Sequence, residues 1–320
     1  MRRIILDCDP GHDDAIAILL AARHLEVLGI TTVSGNQSID KVTTNALKVV
    51  EFAGLTHIPV ARGAERPLIS PAQHAPEIHG ETGLDGPQLP APTTPLHPKH
   101  AVDFIIDTVM STDGITLVPT GPLTNVATAL RRQPRLASRL VEISLMGGSL
   151  TFGNTTPAAE FNIWCDPEAA NIVFTSGVPI KMCGLNLTRQ AEAGEAETER
   201  IRALGNRTGR ITAELLDFFR GTLKRLFGLS GGSLHDPCAV AWLIDPSLIR
   251  GRSMHVTVEL NGQHTRGMTV CDYRHLRGTI GEEMPGQSVH RGAPPNAEVG
   301  LQIEKQRFFD LLTDTLATYP

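Results

Sequence analysis

The chain alternates short runs of apolar residues with longer amphipathic stretches. The first run, Arg3–Cys8, predicts a buried strand, and residues 13–23 predict the helix that follows it. Residues 25–33 and 39–53 repeat this strand and helix pair. Apolar strands that are separated by helices at short spacing are typical of a parallel sheet covered on both faces.

The same alternation resumes further along the chain. The other predicted strands are 58–61, Ile115–Pro119, 141–146, 178–184, a pair at 254–260 and 268–271, and 298–303. The other predicted helices are 100–110, 123–131, 166–176, 208–227, Asp236–Ile244 and 305–318. We therefore predict the α/β class, with a mainly parallel, Rossmann-like open sheet and helices on both faces.

Two segments interrupt the pattern. Residues 62–98 are rich in proline and histidine, and a long irregular segment of this kind is commonly an active-site loop. Residues 275–297 are rich in glycine, proline and charge, and we interpret them as a surface insertion. Neither segment resembles a linker and no internal repeat is present, so we expect residues 1–320 to form a single domain.

Composition narrows the class of protein. The 320 residues are 41% hydrophobic and carry a net charge of -5, with no basic stripe, so we expect no nucleic-acid partner. No apolar stretch has the length of a membrane span, and the N-terminus lacks the features of a signal peptide. The five cysteines form no CxxC pair, which favours reduced thiols. We therefore expect a cytoplasmic protein without membrane contact.

Acids and amides follow the predicted strands. In an open parallel sheet, ligands bind beyond the carboxyl ends of the strands, and the residues there include few lysines or arginines. Such a site suits a hard cation and a neutral polyhydroxylated ligand better than a phosphate. Carboxylates and a backbone carbonyl are the ligands that Ca²⁺ takes.

The segment DCDPGHDDA gives the sharpest signal. It contains Asp7, Asp9, Asp13 and Asp14, and four carboxylates this close repel one another unless a cation lies among them. Some of the four could instead cap the following helix or face solvent, since acids are favourable at a helix N-terminus. For all four together, a metal site is the better interpretation.

A magnesium-dependent phosphatase of the DxD type is an alternative. Such enzymes use the first aspartate as nucleophile and need a downstream lysine to hold phosphate. Lys181 is the one candidate for that lysine, and Pro10-Gly11 stands where a Gly-Thr pair is usual. The repeated Asp13-Asp14 has no role in this alternative.

Seven sequence blocks together resemble the inosine-uridine nucleoside hydrolases, and most closely their bacterial pyrimidine-preferring members. In chain order these blocks are DCDPGHDDAIAILLA, TTVSGNQ, HGETGLDGP, LVPTGPLTNVA, LMGG, PAAEFNIWCDPEAA and LHDPCAVAWL. The resemblance implies hydrolysis of the N-glycosidic bond of ribonucleosides, giving free base and ribose in nucleoside salvage. A ribose or nucleoside sensor without catalysis is a further alternative, against which the retained Asp9 argues.

The resemblance also implies a metal centre. A Ca²⁺ ion is expected on Asp9, Asp14, Asp236 and the backbone carbonyl of Thr120, with Asp7 as a nearby acid or weaker ligand. The ion would also hold a water molecule and two ribose hydroxyls. Asp9 is then the expected general base for direct attack by that water, without a covalent intermediate.

The remaining roles concern the substrate. Ribose-binding residues implied by the resemblance are Asp13, Asn154, Glu160 and Asn162. Glu160 and Asn162 are two residues apart, so an extended segment would place them on one side. Asn36 is either a turn residue or a partner that orients the aspartates, and the resemblance favours the second role.

Two histidines are candidates on the nucleobase side. His235 is expected to donate a proton to the leaving base, and His79 to contact the base. Phe227 is a candidate for stacking on the base, and Asn186 stands where relatives often carry aspartate. At these positions the sequence departs from the family pattern, and they belong to the part of the protein that is expected to select the base. The resemblance also implies a homodimer or homotetramer.

Overall fold

The computed structural model describes residues 1–274 and 293–320. Its strands are β1 (Arg3–Cys8), β2 (Glu26–Thr32), β3 (Val60–Arg62), β4 (Ile115–Pro119), β5 (Glu142–Met146), β6 (Ile180–Cys183), β7 (Glu192–Ala193), β8 (Gly232–Ser233), β9 (Ile249–Val258), β10 (Thr269–Asp272) and β11 (Ala297–Ile303). Its α-helices are α1 (His12–His24), α2 (Ile39–Phe52), α3 (Pro76–His79), α4 (Ala101–Ser111), α5 (Thr124–Arg132), α6 (Phe161–Cys165), α7 (Pro167–Phe174), α8 (Leu185–Thr188), α9 (Glu195–Arg202), α10 (Arg207–Phe227), α11 (Asp236–Ile244) and α12 (Lys305–Ala317).

Within the described ranges, nine strands form one sheet in the order β3-β2-β1-β4-β5-β6-β11-β9-β10. The pairs from β3 through β11 are parallel, and β9 pairs antiparallel with both β11 and β10. The first six strands follow the 3-2-1-4-5-6 order of doubly wound folds, which confirms the predicted α/β class. The strand order reverses between β1 and β4, and ligand sites are found in the crevice at such a point.

Helices cover both faces of the sheet because the strand residues alternate. In β1, Ile4, Leu6 and Cys8 join one hydrophobic core with the buried sides of α1 and α11, whereas Ile5 belongs to the core on the opposite face, formed with α4, α5 and α7. Both faces are therefore apolar, which explains the nearly continuous apolar runs in the sequence.

Several sequence predictions needed correction. The segment 62–98 is mostly irregular, as predicted, but it contains the one-turn helix α3. The strand predicted at 254–260 begins earlier, at Ile249, where it pairs with β11. Of the predicted insertion at 275–297, residues 275–292 lie outside the described part of the chain, and Ala297 already belongs to β11. In the described residues, no helix has both the length and the hydropathy to cross a membrane.

Candidate active site

The acidic residues of the site are carried by the ends of secondary structure. Asp9 follows β1 directly, Asp13 and Asp14 lie in the first turn of α1, and Asp236 opens α11. A helix N-terminus has unpaired N–H groups and a positive dipole end, so it favours carboxylates at these positions. Because α1 and α11 pack side by side against the sheet, their first turns meet beside the end of β1.

Three of these acids form a buried cluster. Each of Asp13, Asp14 and Asp236 offers a carboxylate oxygen within 4.8 Å of the others. Burial raises the pKa of all three carboxyls, and for Asp13 and Asp236 the neighbouring carboxylates raise it further. Such a cluster costs free energy when it is charged, so its charged form needs a cation.

Asp9 lies beside this cluster, and only one of its two carboxylate oxygens has a hydrogen-bond partner among the described residues. Its Oδ2 accepts a hydrogen bond from the backbone N–H of Asn36 at 2.6 Å. Its Oδ1 is buried and has no hydrogen-bond partner among the described residues. Burial, together with the charge of Asp14, raises the pKa of Asp9 well above its ordinary value.

Glycines give the carboxylate of Asp9 its space. A Cβ atom at Gly35 would lie 2.1 Å from Oδ2 of Asp9, and one at Gly121 would lie 2.6 Å from Oδ1. No side chain can approach that closely, so both positions require glycine while Asp9 keeps this position. The glycines of SGNQ and PTGP therefore leave room for the side chain of Asp9.

Hydrogen bonds tie Asp14 to the neighbouring strand ends. Its Oδ1 accepts from the Thr120 hydroxyl at 2.8 Å, and its Oδ2 accepts from the Gly11 backbone N–H at 3.0 Å. The side-chain amide of Asn36 donates to Oδ2 of Asp14 at 3.3 Å and to the carbonyl of Asp9 at 3.1 Å. Asn36 thus contacts two of the aspartates.

The oxygen-rich donor set fits a hard divalent cation. The unpaired Oδ1 of Asp9 and the raised pKa values of the cluster both signal negative charge without a counter-charge. Carboxylate and carbonyl oxygens are the preferred ligands of Ca²⁺. The cluster differs from the ligand set expected from the sequence, because Asp13 belongs to it and Asp9 does not.

Asp7 lies apart from the cluster. Its Oδ1 accepts from the Thr31 hydroxyl at 2.6 Å and from the Asn125 side-chain amide at 2.8 Å. Strand alternation explains this, since Asp7 shares the face of Ile5, toward α5, whereas Cys8 faces α1. The structure therefore does not bring Asp7 into the acidic cluster, and burial raises its pKa to about 7.

Glu160 and Asn162 meet through a helix cap. Glu160 is the N-cap of α6, and its carboxylate accepts from the backbone N–H groups of Gly148 at 2.8 Å and Asn162 at 2.9 Å. The side-chain amide of Asn162 donates to the carbonyl of Thr120 at 2.7 Å. The extended segment predicted here is thus wrong. The two side chains are brought together by the turn that starts a helix.

A cavity of about 730 Å³ opens beside the acids. Every site residue predicted from the sequence lines it, except Asp7, Asp9 and Asp14. Asn154 lies at its exposed side, where its Oδ1 accepts from the backbone N–H of Phe161 at 3.0 Å. The cavity is large enough for a drug-sized or nucleoside-sized ligand.

Aromatic side chains line the part of the cavity formed by α6 and α10. Phe227, which the sequence indicated, lies there with Phe219 and Trp164, which the sequence did not. Arg189 also lines the cavity, with its guanidinium 4.3 Å from the ring centre of Phe152. Phe219 could have been found from its place on the buried side of an amphipathic helix. Trp164 carried no such signal.

Of the two predicted histidines, His79 is buried and His235 is half-buried, and both are neutral in character. Burial lowers the pKa of His235 to about 4, and burial together with the nearby His12 lowers that of His79 well below its ordinary value. The Nδ1 atom of His235 lies 2.7 Å from the Thr188 hydroxyl. The Nδ1 atom of His79 lies 3.2 Å from that of His12, a residue that sequence reasoning missed.

Comparison with known proteins identifies the family of the chain. The model of the inosine-uridine preferring nucleoside hydrolase family matches residues 4–310. The chain belongs to this family. The chain is 47% identical to a pyrimidine-specific ribonucleoside hydrolase, RihA, of Shewanella sp. (strain ANA-3), over 99% of this chain and 97% of the relative. RihA of Escherichia coli (strain K12) is 46% identical, over 99% and 98%.

Solved structures agree with this placement. A purine-preferring ribonucleoside hydrolase from Gardnerella vaginalis has a TM-score of 0.88 at 32% identity, with 99% of this chain and 98% of that chain covered. The plant nucleoside hydrolase PpNRh1 also gives 0.88, at 31% identity and 99% coverage of both chains. The expected class, a nucleoside hydrolase, is thereby confirmed.

The position of Lys181 argues against the phosphatase alternative. Lys181, its candidate phosphate ligand, forms a 3.0 Å ion pair with Glu142, the first residue of β5. Lys181 therefore lies toward the amino ends of the strands, whereas the acids lie at the carboxyl ends. A lysine at that end of the sheet cannot hold a phosphate beside Asp9.

Proposed function

We propose that this nucleoside hydrolase is calcium-dependent and cleaves the N-glycosidic bond by direct attack of water, with Asp9 as the general base. The observation that carries the proposal is the Oδ1 atom of Asp9, which is buried beside three further carboxylates and has no hydrogen-bond partner in the described residues. A held carboxylate with one free oxygen is what proton abstraction requires.

The acid cluster and the neighbouring carbonyl are the proposed metal ligands. Asp9, Asp14, Asp236 and the carbonyl of Thr120 would hold the ion, and Asp13 is close enough to take part. When bound, Ca²⁺ supplies the positive charge that lowers the pKa of water and draws in the ribose hydroxyls. Asp7 is proposed as a structural acid, because Thr31 and Asn125 hold it away from the cluster.

The chain itself orients the sugar. Asp13, Glu160 and Asn162 present carboxylate and amide groups to one side of the cavity, with Asn154 at its exposed side. These groups accept and donate hydrogen bonds to ribose hydroxyls. Asn36 positions Asp9 through its backbone N–H. The negative charge collected there stabilises the oxocarbenium-like character that develops on the ribose.

The nucleobase is proposed to lie on the aromatic side of the cavity. Phe219 and Phe227 offer apolar contact, and His79 and His235 offer ring nitrogens for hydrogen bonds. His235 is the proposed proton donor to the leaving base. Its low pKa means that it is neutral at pH 7 in the free enzyme, where it can donate only a hydrogen bond. To protonate the leaving base, His235 must first take up a proton, and negative charge that develops on the base favours this uptake.

A pyrimidine preference is proposed for the base. The named relatives at 46–47% identity are pyrimidine-specific, whereas the purine-preferring enzyme of known structure is 32% identical. The substrate is then a small-molecule ribonucleoside, and the biological context is nucleoside salvage.

The test is release of free ribose from uridine, cytidine, inosine and adenosine, by the wild-type enzyme and by Asp9→Ala, with Ca²⁺ present. We expect release from the two pyrimidine nucleosides first, and a loss of about a thousandfold in kcat for the variant. Wild-type enzyme that releases ribose from none of the four would overturn the proposal. Release that survives in Asp9→Ala would remove the role of Asp9 only.

A cytoplasmic location and a homo-oligomeric state are also part of the proposal. All five cysteines are free and buried, which fits the reducing cytoplasm. A homodimer or homotetramer is proposed on family resemblance, and light scattering on the purified enzyme would decide between these and a monomer.

A further inference from the structure

Four rings are stacked between α1, α3 and α10. The ring of His12 lies 5.4 Å from that of His79, 5.3 Å from that of Phe218 and 5.6 Å from that of Phe219, measured between ring centres, with interplanar angles of 22° or less. His79 also stacks on Phe219 at 5.7 Å. Both imidazoles are buried in this column. Such surroundings favour the neutral form of both rings.

A directional chain of hydrogen bonds runs through the column. Nε2 of His12 lies 2.8 Å from the backbone carbonyl oxygen of Asp85, and a carbonyl can only accept. Nε2 of His12 therefore carries the hydrogen. A neutral imidazole has one N–H group, so Nδ1 of His12 is an acceptor. The facing Nδ1 of His79, at 3.2 Å, must then be the donor.

The start of this chain is held firmly. The carboxylate of Asp85 accepts from the backbone N–H groups of Glu81 at 3.0 Å and Thr82 at 3.1 Å, which closes the loop after α3. Gly80 has φ of +80°, and a Cβ there would lie 2.2 Å from Oδ2 of Asp85. The loop conformation therefore depends on this glycine, and the Asp85 carbonyl has a defined position.

The position of His79 depends on α1 as well. A Cβ atom at Gly11 would lie 2.6 Å from Nδ1 of His79, so the ring packs directly over the Gly11 backbone. His79 cannot turn away from His12 without losing this packing and its stacking on Phe219. Its two nitrogens are therefore distinct, one taken by His12 and the other free for a ligand in the cavity that His79 lines.

We infer that His12 is a positioning residue that fixes the tautomer of His79, so that His79 presents an unprotonated Nε2 to the nucleobase. The inference rests on the proposed function, in which this cavity binds a nucleoside. It assigns His79 as a hydrogen-bond acceptor, and so not as the proton donor to the leaving base. The class of base it selects carries an N–H donor, either an imide or an exocyclic amine, on the edge that meets His79.

The direct test is ¹⁵N NMR of the enzyme labelled at histidine, with the His79 signals assigned by their loss in His79→Gln. In the wild type we expect Nδ1 of His79 to be of the protonated, pyrrole type and Nε2 of the unprotonated, pyridine type. His12→Phe keeps a stacked ring but removes the acceptor, and we expect His79 to change to the other tautomer or a mixture. His12→Asn offers an amide oxygen near the Nδ1 position, and we expect it to retain the wild-type pattern.

Kinetics provide the second readout. For uridine hydrolysis we expect KM to rise about tenfold in His12→Phe with a smaller change in kcat, and His12→Asn to recover most of the loss, because one neutral hydrogen bond to the base is affected. A His79 that is protonated at Nε2 in the wild type, or unchanged in His12→Phe, would overturn the inference. If no nucleoside releases ribose, the proposed function fails, while the NMR pattern still decides the role of His12.

Discussion

The two sides of the cavity are built in different ways. On the acidic side, Asp9, Asp13, Asp14 and Asp236 come from a strand end and two helix N-termini, and the backbone of the sheet fixes where they lie. On the aromatic side, His79 lies on a one-turn helix and Phe227 at the last turn of α10, and neither follows a strand of the nine-stranded sheet directly. The first side depends on the core fold, the second on contacts between peripheral segments.

Because of this difference, we expect bond cleavage to depend on the acidic side and selection of the nucleobase to depend on the aromatic side. The acidic side has buried charge that is held at fixed positions, as bond cleavage requires. The aromatic side includes exposed residues, since Phe227 is 61% exposed. A substitution on the acidic side should therefore change kcat, and one on the aromatic side should change KM.

Removal of calcium should have the largest effect. With a chelator in excess, we expect the rate to fall by about a thousandfold, since the charge of a catalytic ion supplies several kcal/mol. We also expect Tm to fall by about 4 °C, because ligand at a hundred times its Kd contributes about 2.7 kcal/mol to the stability of a chain this long. Ribose release and calorimetry with and without added Ca²⁺ measure both. An unchanged rate after dialysis against chelator would contradict the metal site.

Gly35→Ala should come next, with a loss of about a hundredfold in kcat and little change in KM. The new Cβ would lie 2.1 Å from Oδ2 of Asp9 and would push the carboxylate from its position. Gly221→Ala, in α10, is the matched control, because its Cβ would meet nothing within 4 Å. Equal rates for the two variants would show that the position of Asp9 is not critical.

Phe227→Ala tests the aromatic side. We expect KM for uridine to rise about fivefold with kcat nearly unchanged, because an exposed ring contributes about 1 kcal/mol of apolar contact to the bound base. Leu226→Ala is the control, since Leu226 is 43% exposed and does not line the cavity. If kcat falls more than KM rises, the two sides of the cavity are not separable in function.

The pH dependence of the calcium-free enzyme should appear in its stability and not in its rate. Burial raises the pKa of Asp7 and of Glu160 to about 7, from ordinary values of 3.8 and 4.5. Between these values the folded state binds more protons than the unfolded state, so stability falls as pH rises from about 4 to 7. Each pKa unit corresponds to about 1.4 kcal/mol, so the two shifts amount to several kcal/mol, and we expect Tm to drop by about 10 °C over this range.

The Asp7→Asn variant distinguishes the contribution of Asp7 from that of Glu160 in that measurement. The amide cannot ionise and keeps an oxygen for Thr31 and Asn125, so we expect a flatter dependence of Tm on pH and unchanged calcium binding. Loss of calcium binding in this variant would show that Asp7 is a metal ligand. Calorimetric titration with Ca²⁺ distinguishes the two results.

The sequence by itself determined the class of fold and the acidic residues. Two-faced apolar strands and amphipathic helices have periodicities that local residue patterns reveal, and strand ends mark the ligand edge of a parallel sheet. Asp13, Asp14 and Asp236 lie in the first turns of two helices, where the sequence alone shows that carboxylates are favourable.

Only the tertiary structure decided which acids share the cluster and what surrounds the base. Asp7 and Asp9 look equivalent in the sequence, but Asp7 lies within β1, where Asn125 contacts it, whereas Asp9 lies beyond the end of β1 and has an unpaired oxygen among the described residues. The sequence alone indicated no role for His12, yet this residue contacts His79 and the carbonyl of Asp85. Such contacts join residues separated by tens of positions, and no local pattern records them, because they depend on how whole elements pack.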